Sequence, residues 1–216
     1  MSVANPGGII VMAKEPVAGR VKTRLCPPCT PGEAAALAAA SLADTLAAVA
    51  ATPAAWRTVA LEGSPGPWLP SGFGVVAQRG AGLDERLAAA FANAGTPALA
   101  IAADTPQVTP ELLGLALATL AEPGVDAVLG PTDDDGYWVL GLRRSDPRAV
   151  VGVPMSSPRT LSAQRARLDE LGLRVAGLPS LRDVDGIDDA RAVAAAIPAS
   201  RFAAALAGIL PTVGRR

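Results

Sequence analysis

Residues 7–25 read GGIIVMAKEPVAGRVKTRL. The first seven are small or apolar and include three β-branched side chains, the pattern of a strand buried on both faces. The loop that follows is unlike the rest of the chain. The sequence holds two lysines, Lys14 and Lys22, against seventeen arginines, and both fall here with Arg20 and Arg24 beside them. A buried strand running straight into a cationic loop fits an open α/β sheet, in which ligands bind outside the carboxyl ends of the strands. Pro16, Ala18 and Gly19 keep the loop compact and let backbone N–H groups approach a ligand. Lys14 and Lys22 are flexible point charges, whereas Arg20 and Arg24 offer bidentate forks. Together they suit a triphosphate or pyrophosphate. An ordinary solvated basic loop is the plainer alternative, and the placement of both lysines argues against it.

Outward from this stretch, strand and helix patterns alternate. Helices are predicted over 30–50, 83–94, 109–122 and 157–172, the first with a Thr30/Glu33 capping box and the last with Ser157 as its cap. Strands are predicted over 56–62, 73–78, 98–104, 125–131, 136–143 and 173–179, then a helix through 183–197 and a final one after Pro198. The alternation implies a single-domain, three-layer α/β/α sandwich spanning residues 1–216, with a mostly parallel sheet. The neighbouring strands 125–131 and 136–143, joined through the acidic turn TDDD, make that sheet mixed.

Half of the 216 residues are apolar, enough for a sizeable core, and the formal net charge is −1. Nothing in that balance points to nucleic acid. The four cations of residues 14–24 outweigh one anion there, so the remainder is mildly acidic. A local basic loop in such a chain suits a small polyanion. No signal sequence or membrane span is expected, and the expected location is cytoplasmic. The chain has no histidine, which excludes His-based triads, His general bases and His metal ligands. Any catalysis rests on carboxylates, Lys and Arg, the hydroxyls of Ser, Thr and Tyr, Cys, or a metal held by oxygen.

Asp104 closes the strand 98–104 at the ligand-binding edge of the sheet, where an unpartnered carboxylate is costly and a Mg²⁺ ion would supply a partner. A turn or helix-capping role is the alternative. Asp183 and Asp185, at the end of the last strand, can converge on the same metal or cap the next helix. The DDDG turn at 133–136 is equally a hairpin signal. The pair Cys26 and Cys29 in CPPC lacks the further ligands of a zinc site and the strand-to-helix setting of a redox motif, so it reads as loop geometry. No Walker loop is present, and RGAGLDER (79–86) keeps only Gly80 and Gly82 of a dinucleotide fingerprint.

Four segments, AKEPVAGRVKTRL, AADTPQVTPELL, GPTDDDGYWVLGL and RDVDGIDDA, in this order and spacing, resemble small bacterial transferases of the GT-A, nucleotide-diphospho-sugar transferase type. These are the glycosyltransferases associated with radical-SAM/selenodomain proteins. The Lys-Thr-Arg-Leu core also looks like the phosphate loop of phospholactate guanylyltransferases and, more distantly, of molybdenum-cofactor guanylyltransferases. The resemblance covers nearly the whole chain. It implies a nucleotide and phosphate site at Ala13, Lys14, Gly19, Arg20, Lys22, Thr23, Arg24, Gly82 and Arg86, with Lys14, Lys22 and Asp104 as catalytic groups. It further implies Mg²⁺ or Mn²⁺ on Asp104 and Asp185, and an acceptor site at Asp135, Gly136, Tyr137, Ser156 and Ser157. The chain departs from the usual pattern at AADTP, at DDDGYW and at VPMSSP; the last two departures lie beside the implied acceptor site.

The expected activity is Mg²⁺-dependent nucleotidyl transfer from an NTP to a small phosphorylated or phosphonate-like acceptor, with release of pyrophosphate. Glycosyl transfer from a nucleotide sugar, with Asp133 or Asp135 as base, is the alternative, and a non-catalytic nucleotide-binding regulator is a third. The partners are thus an NTP or nucleotide sugar and a small acceptor, with no nucleic acid and no membrane. The cysteines enter none of these. The Cys26→Ser/Cys29→Ser variant should keep transferase activity within about tenfold of the parent under reducing conditions, roughly 1.4 kcal/mol in the transition state; a larger loss in a steady-state assay would give the pair a role in the reaction.

Overall fold

The computed structural model describes residues 7–210. The chain runs β1 (Gly8–Lys14), α1 (Pro31–Ala51), β2 (Trp56–Glu62), β3 (Gly74–Ala77), α2 (Leu83–Ala94), β4 (Ala98–Ala102), α3 (Pro110–Ala121), β5 (Ala127–Pro131), β6 (Tyr137–Leu142), α4 (Thr160–Glu170), β7 (Val175–Gly177), α5 (Ile187–Ala196) and α6 (Arg201–Ile209). One seven-stranded sheet has the order β3-β2-β1-β4-β6-β5-β7. β1 pairs in parallel with β2 and β4, and β2 with β3. Only β6 runs against its neighbours, antiparallel to both β4 and β5, as the short 132–136 connection requires. This is the mixed, mostly parallel α/β sandwich implied by the sequence; of the expected 1–216 domain, residues 1–6 and 211–216 lie outside the described residues.

The two-residue period of β1 assigns its faces. Ile9 and Val11 pack with Leu42, Leu46 and Val49 of α1 and with Leu113 and Leu120 of α3. Ile10 points the other way, into Leu87 and Phe91 of α2 and Leu168 of α4. A third cluster sits beyond the edge of the sheet. There Leu25, Cys29, Ala34 and Leu37 meet Val184, Val193, Phe202 and Leu206, so α5 and α6 close over the foot of α1. α1 is long and apolar enough to cross a membrane by length and composition, yet it spends that apolar surface inside two clusters of the fold. Cys26 packs against the third cluster. Both thiols are free, and burial, then the charges of Glu33 and Cys26, push the Cys29 thiol up, the opposite of what a reactive cysteine needs.

The helix starts follow the sequence signals with one exception. Thr30 and Glu33 form the expected capping box, with Pro31 in the first turn, and the Thr109 hydroxyl caps α3 by accepting from Leu112 N–H. The fourth helix starts at Thr160 rather than Ser157, and its N-cap, Arg159, makes no side-chain cap bond. Thr160 displaces Ser157 from the expected role: its Oγ1 accepts from Ser157 N–H and lies 2.9 Å from Pro154 O, closing the preceding turn.

Gly141, in the middle of β6, is sandwiched between neighbouring strands. A Cβ there would sit 2.4 Å from Val128 Cγ2 and 2.7 Å from Leu99 Cδ2. Gly141→Ala should therefore destabilise the fold by about 1–3 kcal/mol, read as a lower urea midpoint at unchanged slope; parental stability would mean that Val128 and Leu99 rotate away freely.

Candidate functional site

The carboxyl ends of β1, β2 and β4 and the start of β6 share one edge of the sheet. A cavity of about 490 Å³ opens along that edge. Its floor is the β1 and β4 ends, Met12 to Lys14 and Ala100 to Asp104. One wall is the basic loop from Arg20 to Arg24, the far wall is Thr132, Asp134, Asp183 and Asp185, and a third wall holds Leu83, Leu87, Tyr137, Met155, Ser156 and Ser157.

Lys22 has a left-handed backbone, φ 48° and ψ 37°, a conformation that costs a non-glycine residue about 1 kcal/mol. In that conformation its ammonium lies 3.3 Å from Asp104 Oδ2 and donates to the Val184 carbonyl. The side chain is only 16% exposed, so these acceptors replace much of its water. Arg24 pairs with Asp185. Lys14 pairs with Glu62 at 3.3 Å, and Glu62 also takes the Arg86 guanidinium. Burial pushes the Glu62 carboxyl up, but hydrogen bonds and charge from Lys14 and Arg86 outweigh it and hold the carboxyl below its ordinary range.

The far wall gathers negative charge. Carboxylate oxygens of Asp134, Asp183 and Asp185 lie within 4.8 Å of one another. Asp134 is oriented through one oxygen, Oδ1, which accepts from Thr132 Oγ1 at 2.6 Å and Gly136 N–H at 3.0 Å. Burial, then the charges of Asp134, Asp104 and Asp185, push the Asp183 carboxyl up to about 6. Crowding anions in a half-buried place is unfavourable unless a cation is taken up. Three carboxylates with no nitrogen or sulfur donor form an oxygen-only set that fits a hard divalent ion such as Mg²⁺ or Mn²⁺.

The third wall is fixed from behind. The Tyr137 hydroxyl turns toward Gln164 Oε1, at 3.3 Å, and the Met155 sulfur. Burial, then the charge of Asp84, raises its pKa well above the usual phenol range. Asp84 Oδ2 accepts from Gly152 N–H at 2.8 Å, tying the 150–157 turn to the first turn of α2. That contact holds Asp84 below the ordinary carboxylate range.

Of the residues singled out in the sequence, Ala13, Lys14, Arg20, Lys22, Thr23, Arg24, Asp104, Gly136, Tyr137, Ser156, Ser157 and Asp185 line this one cavity. Gly19, Gly82, Arg86 and Asp135 stand outside its lining. Gly19 turns the loop at φ +77° with open space around it. Gly82 is the N-cap of α2, and Arg86 is engaged by Glu62 and the Gly80 carbonyl. Asp135 also has positive φ, and its carbonyl accepts from Leu161 N–H. Asp133 is turned away to Arg182 and Ser180. The expected metal pair was Asp104 and Asp185. The clustered carboxylates are Asp185, Asp183, which the sequence had also brought toward that metal, and Asp134, which it had not, while Asp104 lies outside the cluster with Lys22 as partner. Asp134 had a signal in the sequence, a Thr two residues before and a Gly two after, which together make the turn that aims it.

A family model described as "Uncharacterized protein conserved in bacteria (DUF2064)" matches residues 34–157. The chain belongs to the DUF2064 family. The matched span reaches from α1 to the Ser156–Ser157 turn, so it contains Asp104, Asp134 and the third wall of this DUF2064 protein, and it leaves the basic loop and Asp183–Asp185 outside. No curated protein sequence matches the chain. Among solved structures, a candidate nucleotide-diphospho-sugar transferase from Desulfovibrio desulfuricans G20 is similar over 93% of this chain and 94% of its own, with a TM-score of 0.84 and 26% identity. A nucleotidyl transferase from Methanothermobacter is similar over 89% and 97%, with a TM-score of 0.60 and 14% identity. The 2-C-methyl-D-erythritol 4-phosphate cytidylyltransferase from Thermus thermophilus is similar over 88% and 98%, with a TM-score of 0.53 and 19% identity. The DUF2064 chain therefore has the fold of nucleotide-diphospho-sugar transferases and nucleotidyltransferases.

The crowding at Asp183 has a measurable sign. Asp183→Asn removes the anion that three others repel, so it should raise the urea midpoint of the metal-free protein at pH 7 and abolish Mn²⁺ binding in a calorimetric titration. A variant that binds Mn²⁺ like the parent would take Asp183 out of the ligand set.

Proposed function

We propose that the protein is a cytoplasmic, divalent-metal-dependent nucleotidyltransferase that joins an NTP to a small phosphorylated or phosphonate-like acceptor and releases pyrophosphate. The observation that carries this reading is a single cavity with four cations from one loop region, Lys14, Arg20, Lys22 and Arg24, facing four carboxylates, Asp104, Asp134, Asp183 and Asp185. The similarity to a candidate nucleotide-diphospho-sugar transferase over nearly all of both chains supports it.

In this reading the basic loop takes the triphosphate. Lys22 and Arg24 exchange Asp104 and Asp185 for phosphate oxygens, and the freed Asp185 would join Asp134 and Asp183 in holding Mg²⁺ or Mn²⁺. The ion would neutralise charge on the phosphates. An oxygen of the acceptor's anionic group attacks the α-phosphorus as the bond from that phosphorus to the β-bridging oxygen breaks, and pyrophosphate leaves with the electron pair. Lys14, Lys22 and the two arginines stabilise the negative charge gathered on the leaving group. No general base is required, because the nucleophile is already an anion. That matches the wall formed by Leu83, Leu87, Tyr137, Met155, Ser156 and Ser157, which contributes no carboxylate. Glycosyl transfer to a hydroxyl would want a base there, and Asp133 is held by Arg182 instead.

The reaction class is tested by supplying each NTP with Mg²⁺ and a panel of small phosphate and phosphonate acceptors and measuring pyrophosphate. Release of a nucleoside diphosphate from a nucleotide sugar would select glycosyl transfer; nucleotide binding without turnover on either panel would select a regulator. Lys22→Met gives a second check with two opposed signs. Its triphosphate affinity should fall about ten- to hundredfold, the worth of one charge-assisted contact of roughly 1.5–3 kcal/mol, with a smaller loss for the monophosphate. Its affinity for Mn²⁺ alone should rise, because a cation that sits beside the acidic cluster, on the Val184 carbonyl, is gone. Equal losses for mono- and triphosphate in a calorimetric titration would remove Lys22 from the phosphate grip.

A further inference from the structure

We infer that Gln78 reads the nucleobase and that it selects a base presenting an amino group. The inference rests on the reading of the cavity as a nucleotide site and goes beyond it in naming the class of base.

The sheet order places the parts. Carboxylates reach the cavity from behind β4, β5 and β7, the basic loop follows the central strand β1, and Gln78 follows β3 at the opposite end of the sheet. A nucleotide whose phosphates lie over the β1 loop with their metal toward the carboxylates has its base on the β3 side. There the cavity offers Met12, Leu83 and Leu87 as apolar surface for a planar ring. Gln78, the residue that follows β3, brings an uncharged polar side chain to the lining.

Its amide is not free to choose its orientation. Nε2 donates to the Ala13 carbonyl at 3.0 Å and to the Ala60 carbonyl at 2.9 Å. The Gln78 backbone N–H is bound to Leu61 O at 2.9 Å. Both amide hydrogens are therefore spent on the ends of β1 and β2. Turning the amide over would set Oε1 against two carbonyl oxygens, so the assignment of nitrogen and oxygen is forced. Oε1 accepts no hydrogen bond from the described residues, and with Gln78 in the cavity lining it is left as an acceptor of fixed orientation. A fixed acceptor pairs with the amino group of cytosine, adenine or guanine and is repelled by a keto oxygen in the same place, and a site built for such a bond discriminates strongly against the analogue lacking it.

The test is calorimetric titration of the protein, in Mg²⁺, with the pairs CTP and UTP, ATP and ITP, and GTP and ITP, and with inorganic tripolyphosphate. The tightest-binding nucleotide should carry an amino group and should bind at least about tenfold more tightly than its partner. Gln78→Met should compress that ratio to about twofold while leaving tripolyphosphate affinity unchanged. The comparison on the parent protein stands even if the variant does not fold. UTP or ITP binding as tightly as its amino partner would overturn the inference, as would a ratio preserved in folded Gln78→Met. Tripolyphosphate binding without discrimination among bases sinks only the role of Gln78. Failure to bind any nucleotide or tripolyphosphate sinks the nucleotide site itself.

Discussion

The contact of Lys22 with Asp104 and the Val184 carbonyl holds the site together. It joins the loop after β1 to the turn after β4 and the stretch before α5, which lie 82 and 162 residues further along the chain. Each segment alone carries unbalanced charge. Brought together, the cation offsets part of the repulsion among Asp104, Asp183 and Asp185, and the carboxylates keep a mostly buried ammonium from being a net cost. Such pairs are expensive to break one-sidedly and easy to exchange for an equivalent partner. A ligand that supplies both a cation and a polyanion meets that condition, since it leaves no charge uncompensated.

The sheet supplies the geometry for this exchange. Parallel pairing of β1 with β2 and β4 puts three loops on one edge, and the reversed strand β6 brings Tyr137 and, through the tight 132–136 turn, Asp134 to the same edge. A strictly alternating sheet would have placed a helix between β5 and β6 and sent the DDDG segment elsewhere. The departure from regular alternation is thus what completes the acidic wall.

Much of this was legible in the sequence for identifiable reasons. Buried parallel strands read as apolar runs, the Thr-Pro start of α1 and α3 carries its own capping chemistry, and two lysines in a chain of arginines mark the basic loop that lines the cavity. Asp104 and Asp185 were readable as strand-end carboxylates. The joining of Asp134 to Asp183 was not, because it depends on β5 and β7 being neighbours, and pairing partners leave little trace in either strand. The start of α4 was placed three residues early because Ser157 is a good cap by type, and only the fold shows that the Thr160 hydroxyl meets the Pro154 carbonyl and closes the turn before the helix. Arg86, which the resemblance implied for the phosphate site, lies outside the cavity lining and pairs with Glu62 at the end of β2.

The third hydrophobic cluster ties these pieces together in a mechanical sense. Leu25 and Cys29 belong to the segment just after the basic loop, and Val184 lies between Asp183 and Asp185; all three pack with Phe202 and Leu206 of the last helix. The cationic and anionic jaws of the cavity are therefore mounted on the same apolar block, apart from the two faces of the central sheet. Their spacing is set by side chains that touch no ligand. Loosening that block at Phe202 would change the grip of the jaws before it weakened the sheet, so the terminal helices act as the frame of the site rather than as a lid or an appendage.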